Sequence, residues 1–309
     1  MKIAVIGANG QLGTDVVDAF IGRGDAVSSL THSEFEITSP ESVRECLEKA
    51  SPAIVVNTAA MHHVENCEKE PTTAYAVNTI GVRNLARVTR DLGAKLVHVS
   101  TDYVFDGDKR SPYEEDDAPL PLNVYGNSKL AGEYFVRTLN PRHFVVRTSA
   151  LYGAHRCRGK GGRNFVDLML ELARTKGKVR VVKDEFISPT PTRDLARQIV
   201  RLSQCEFFGL YHATSEGSCS WYEFAKEIFE VADVKVTLEA ASPGEFPAKT
   251  PRPAYSVLEN RGLKKNGLNE FRAWQDGLRE YLEAKRIAFV RDSAELKKSA
   301  DKRESVTFR

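Results

Sequence analysis

The segment Gly7-Ala-Asn-Gly10-Gln-Leu-Gly13 follows an apolar and β-branched run at residues 2–6. It opens a stretch, residues 11–21, in which Leu12, Val16, Val17 and Phe20 fall at helical spacing. Strand, glycine turn and helix in that order constrain the fold more than any other feature of the chain. A helix N-terminus offers unpaired N–H groups and the positive end of its dipole to a phosphate. Glycines are needed because a Cβ would obstruct the tight bend, the approach of backbone to a pyrophosphate and the packing of helix on strand. Taken alone, such a triplet is more often a bare turn. Inside a βαβ unit it reads as a dinucleotide site built from Gly7, Asn9, Gly10, Gln11, Leu12 and Gly13.

The alternation continues. Residues 26–30 form a second apolar run, Ser39 can cap a helix with Pro40 at its first position, and residues 53–57 are apolar without a break, as in a strand buried on both faces. Helical patterns at 72–92 and about 125–139 alternate with strand patterns at 95–100 and 143–148. This predicts an α/β fold: a Rossmann-like, doubly wound parallel sheet over residues 1–150. After Gly153 the regularity fades into a basic, glycine-rich loop at 155–163 and an amphipathic helix at 164–175. Residues 151–285 are expected to form mostly a smaller, interleaved substrate domain, with later segments returning to the sheet, and 286–309 a charged accessory tail.

A net charge of +2 removes the electrostatic case for a nucleic-acid or anionic-membrane partner. Five cysteines, odd in number and without a C-x-x-C pair, suggest neither a disulfide framework nor a zinc ribbon. No apolar run approaches the roughly 20 residues of a membrane span, so a soluble, cytoplasmic protein is expected.

Tyr125-Gly-Asn-Ser-Lys129 places a phenol and an ammonium on one helix face. A phenol titrates near 10, so it serves as an acid or base near neutrality only if its environment shifts it, and Lys129 is expected to favour the ionised form. At the carboxyl end of the strand before it, Ser100 and Thr101 compete for a third role, because alternation sends only one of them to the active face. The spacing G-x-x-G-x-x-G points to the short-chain dehydrogenase/reductase superfamily, where a hydroxyl 24 residues before the tyrosine, as Thr101 is here, resembles the third catalytic member.

The order GANGQLG, VNTAA, STDYVFDG, PLNVYGNSKLAGE, RTSALYG, NFVDLM, SPTPTRDLA, SWYEFA and TPRPAYS resembles the dTDP-4-dehydrorhamnose reductase family over residues 1 to about 285. The resemblance implies reduction of the 4-keto group of a nucleotide-activated deoxysugar, with Thr101, Tyr125 and Lys129 as the catalytic set. The cofactor set extends to Thr31, His32, Ser33, Glu36, Ile37, Asn57, Ala59, Ala60 and Asn78, and the sugar nucleotide is assigned to His62, Thr101, Asp102, Tyr103, Ala150, Asn164 and Arg252. Asn164 and Arg252 are expected to donate to its diphosphate. Where NAD-selective domains end their second strand in an acid, this chain has Thr31, so NADPH is the expected cofactor, with NADH left open.

Two departures stand out. Ala150 replaces the family's usual tryptophan, and Met61, His62 and His63 replace typical pocket residues. Ala150 leaves a void unless His62, His63 or the 155–163 loop moves in to fill it; the loop is read either as a lid that folds over a diphosphate when ligand is present or as a solvated insertion without a role. Adjacent histidines on a strand would face apart, so no metal is assigned to them. Asp15 matches an acidic position that some members use for magnesium at a homodimer contact; an acid favoured by the helix dipole is the simpler reading. The alternative to an enzyme is a cofactor-bound regulatory subunit, since the beta subunit of eukaryotic methionine adenosyltransferase is similar to this family.

Overall fold

In the computed structural model, residues 1–157, 161–245 and 250–285 are described. The 286–309 tail and residues 158–160 of the expected lid lie outside these ranges. The first half runs β1 (Lys2–Ile6), α1 (Gln11–Gly22), β2 (Ala26–Leu30), α2 (Pro40–Ala50), β3 (Ile54–Asn57), α3 (Val64–Lys69), α4 (Pro71–Tyr75), α5 (Val82–Asp91), β4 (Lys95–Thr101), α6 (Val124–Leu139) and β5 (His143–Thr148). The second half adds β6 (Leu151–Tyr152), α7 (Phe165–Lys176), β7 (Lys178–Val182), β8 (Phe186–Ile187), β9 (Thr190–Pro191), α8 (Thr192–Ser203), β10 (Gly209–His212), β11 (Cys219–Ser220), α9 (Trp221–Val231), β12 (Thr237–Ala241) and α10 (Arg261–Lys265), with helix again at 274–285.

Six strands pair in parallel in the order β2-β1-β3-β4-β5-β10. Their side chains alternate between two cores. Ile3, Val5, Ile54, Val56 and Val97 pack against α1 and α8 through Val16, Phe20, Leu195 and Ile199. Ala4, Ile6, Val55 and Leu96 face Val43, Leu47, Val82, Leu85 and Val136 on the other side. A sheet covered on both faces explains strands without polar alternation, such as the fully buried Ile-Val-Val-Asn of β3. The strand order reverses direction between β1 and β3, and a crevice opens at that point beyond the carboxyl ends of the strands.

The helix expected over 72–92 is interrupted by a π-helical turn, Ala76–Gly81. Gly81 sits there because a Cβ would come within 2.9 Å of Ile37. The turn points Asn78 and Thr79 at α6, where they bond Ser128. Other predicted bounds match the observed ones within a residue or two: Ser39 caps α2 by accepting from the Ser42 amide, with Pro40 at the first position.

A separate apolar cluster joins α7, β7, α9 and the 274–285 helix through Val166, Met169, Val179, Phe224, Ile228, Trp274 and Leu278. The chain moves between this cluster and the sheet more than once: α8 covers α1, and β10 supplies the sixth strand.

Candidate active site

The crevice has a volume of about 650 Å³. Its glycine wall is built as the sequence requires. Gly7 has φ +75°, and a Cβ on Gly13 would lie 2.1 Å from the Gly7 carbonyl oxygen. Helix α1 starts after Gly10 without a side-chain cap, which leaves to an anion the role a capping side chain would play. Thr58, which sequence reasoning missed, closes the switch point by donating to the Ile6 carbonyl at 2.8 Å. At the end of β2, Thr31 and His32 line the crevice, as do Glu36 and Ile37; Ser33 lies outside the lining and its hydroxyl pairs with that of Thr31 at 2.8 Å. The uncapped helix and the cradle that any Cβ would fill fit a dinucleotide.

Thr101, Tyr125 and Lys129 converge on this crevice. Thr101 takes the active face: its hydroxyl bonds the Tyr125 phenol and donates to Asp102 at 3.0 Å. Ser100 points the other way, to Glu133 at 2.5 Å, and Glu133 is held by a two-pronged ion pair with buried Arg147 at 2.9 and 2.7 Å. Asp102 also receives Ser149 at 2.8 Å and Ser256 at 2.6 Å. Asp102 lines the crevice as expected, and the bonds to both its oxygens fix Thr101 and the start of β6. Burial pushes its carboxyl up despite these donors.

Lys129 does not do what the helical spacing suggested. Burial pushes the Tyr125 phenol upward, with the nearby Asp102 charge in the same direction, and the bond from Thr101 only partly offsets them. Lys129 is itself buried, its amine is pushed down to about 8, and its Nζ donates to the Val99 carbonyl at 2.7 Å. Tyr125 is therefore a neutral phenol near neutrality, the form that can give up a proton.

Several predicted ligands turn out to be supports. Asn57 and Asn78 lie outside the lining: Asn57 holds the Ala59 amide at 3.1 Å, and Asn78 holds both the amide and the carbonyl of Met61 at 2.9 Å. Asn164 is no diphosphate donor, because it caps α7 and donates to the Gly153 carbonyl and the Tyr281 hydroxyl, each at 3.0 Å. Arg252 also stands outside the lining, ion-paired with Glu65 at 2.5 Å. Ala59, Ala60, His62 and Tyr103 do line the crevice.

Ala150 occupies the left-handed region at φ +45°, a conformation that costs a non-glycine residue on the order of 1 kcal/mol. His62, Cys157 and Trp221 line the same crevice as Ala150, and Trp221 is absent from the expected set although it lies within SWYEFA. Trp221 leads α9 and packs on Phe165 at 4.6 Å. His62 and His63 lie on no strand; His63 caps α3. Asp15 is not a dipole-stabilised acid at the helix start: it accepts from Thr192 of α8, and burial pushes its carboxyl up. With Asp18 and His155 it forms a cluster whose ligand atoms lie within 4.8 Å of one another.

Residues 1–287 match the family model described as RmlD substrate binding domain. The spore coat polysaccharide biosynthesis protein SpsK of Bacillus subtilis is 42% identical, over 93% of this chain and 99% of that protein. The dTDP-4-dehydrorhamnose reductase of Sinorhizobium fredii is 35% identical over 90% and 96%. The chain belongs to the dTDP-4-dehydrorhamnose reductase family. A crystal structure of that reductase from Bacillus anthracis in complex with NADP superposes with a TM-score of 0.88 at 39% identity, covering 92% of this chain and all of that one. Among the described residues, no helix is long and apolar enough to cross a membrane.

Proposed function

We propose that this member of the dTDP-4-dehydrorhamnose reductase family is an NADPH-dependent reductase of the 4-keto group of a nucleotide-activated deoxysugar, most simply the dTDP-linked one. The observation that carries the reading is the convergence of Thr101, Tyr125 and Lys129 beside the glycine cradle in one crevice. Bound NADPH would supply the hydride. The chain's part is proton handling and orientation. Tyr125, a neutral phenol, donates to the carbonyl oxygen, and Thr101, whose single hydroxyl proton goes to Asp102 in this structure, would turn that proton to the same oxygen and so favour the charge building there. Lys129, whose Nζ donates to the Val99 carbonyl and which lines the crevice, is assigned the cofactor's ribose in this reading. The names of the relatives and the NADP complex of the Bacillus anthracis protein support the substrate and cofactor classes.

The intact triad supports an enzyme over a regulatory subunit. A panel of dTDP-, GDP- and UDP-linked 4-keto-6-deoxysugars, followed by NADPH oxidation and product identification, tests the reading. No net NADPH consumption with any of them would refute it. Thr31 stands where NAD-selective domains carry the acid that ends the second strand, and the nearby Glu34 and Glu36 are engaged by Thr31 and His32, so NADPH is expected to give the higher kcat/KM. A clear preference for NADH in steady-state kinetics would contradict that.

A further inference from the structure

The crevice rests on a buried polar path that the proposed reaction does not use. The Ala59 backbone N–H, at the lip of the crevice, donates to Asn57 Oδ1 at 3.1 Å. A main-chain amide can only donate, so the oxygen of the Asn57 side chain must face it and the NH2 must face the other way. That NH2 lies 3.0 Å from His98 Nδ1. His98 is fully buried and held well below its usual range by burial and by Lys129, so it carries one ring proton. Because Nδ1 must accept, the proton is on Nε2, 3.4 Å from Lys129 Nζ.

We propose that Asn57 and His98 form a one-way hydrogen-bond chain that begins at the Ala59 amide, ends on Lys129, and makes His98 a positioning residue that favours the neutral amine. A neutral amine accepts from Nε2–H through its lone pair while still donating to the Val99 carbonyl at 2.7 Å. An ammonium has no lone pair and would set donor against donor. The other groups facing Lys129 are Glu133 and Tyr125, one turn away on either side along α6. Glu133 favours the charged amine, but its oxygens are engaged by Arg147 and Ser100. The direction of the amine's shift, to about 8, agrees with this polarity, although burial is its larger cause.

The consequence rests on Lys129 serving the cofactor: affinity for NADPH should fall as pH rises through about 8. Two measurements on the full chain test the inference. In the 15N spectrum of the histidine-labelled protein at pH 7, with His98 assigned by its loss in His98→Asn, the Nε2–H tautomer is expected; the Nδ1–H tautomer would overturn the proposal. This measurement involves neither NADPH nor sugar, so it stands apart from the reductase reading. Asn57→Asp should reverse the chain, because a carboxylate accepts from both Ala59 and His98 Nδ1–H and leaves Nε2 to accept from an ammonium. The pH midpoint for NADPH binding, followed by cofactor fluorescence, should then rise by about one unit or more, roughly tenfold in the ratio of charged to neutral amine at a given pH. A well-folded Asn57→Asp with an unmoved midpoint would also overturn it. Should that variant not fold, the tautomer decides alone.

Discussion

Side-chain chemistry at the crevice is governed by burial more than by neighbouring charge. Tyr125 and Lys129 sit on one face of α6 as the Y-x-x-x-K spacing requires, yet desolvation moves the phenol up and the amine down. Tyr125→Phe is expected to lower kcat by about 100- to 10,000-fold with NADPH affinity nearly unchanged, because the ring packing stays and only the proton donor goes. An active Phe variant would remove Tyr125 from the mechanism. Lys129 adds a stability consequence with a definite sign. Its amine titrates at about 8 in the folded chain against 10.5 ordinarily, so between those values the unfolded chain binds more protons and stability rises with pH. Below about pH 8 the full cost of burying a cation is present. Lys129→Met is therefore expected to abolish turnover while stabilising the cofactor-free protein at pH 7 by on the order of 1–3 kcal/mol. Urea unfolding at pH 7 and pH 10 would check both the gain and its shrinkage at the higher pH.

Among the elements, the strand–turn–helix unit was readable in advance because its constraints are local. A glycine at φ +75° and another whose Cβ would strike a carbonyl are demanded by the turn itself. The Ser39-Pro40 start of α2 and the span of α6 are local in the same way. The π-helical turn was not readable, because its cause is remote: Asn78 and Thr79 reach Ser128, about fifty residues away. Asn164 shows the same limit. Its place before an amphipathic helix fits a ligand donor and a cap equally well, and only the position of Tyr281 shows that its amide is taken. Asn164→Ala is expected to cost about 1–3 kcal/mol through lost capping of α7 and the lost bonds to the Gly153 carbonyl and the Tyr281 hydroxyl, with little direct effect on the substrate KM. A large KM change at unaltered stability would restore Asn164 to the substrate site.

At the scale of the whole molecule, the second apolar cluster contributes to the crevice: Ala150 and Trp221 both pack against it and both line the crevice. Trp221→Ala is expected to raise the KM for the sugar nucleotide by roughly tenfold and to leave NADPH affinity nearly unchanged, since an aromatic face would be lost only at the sugar end. Parallel KM measurements for both ligands would show it; equal effects would place the indole against the cofactor. Arg252→Ala should follow the same pattern if its guanidinium leaves Glu65 for the diphosphate. By itself the sequence determined the parallel α/β fold, the glycine turn and the positions of Tyr125 and Lys129 on one helix face, because hydrophobic period, turn sterics and motif spacing act over a few residues. The tertiary structure alone decided that Thr101 and not Ser100 faces Tyr125, that Asp102, Asn57, Asn78 and Asn164 are supports, and that Trp221 reaches the crevice. Those outcomes depend on which distant groups meet in a water-poor interior, where a polar atom's role is set by the partner that satisfies it.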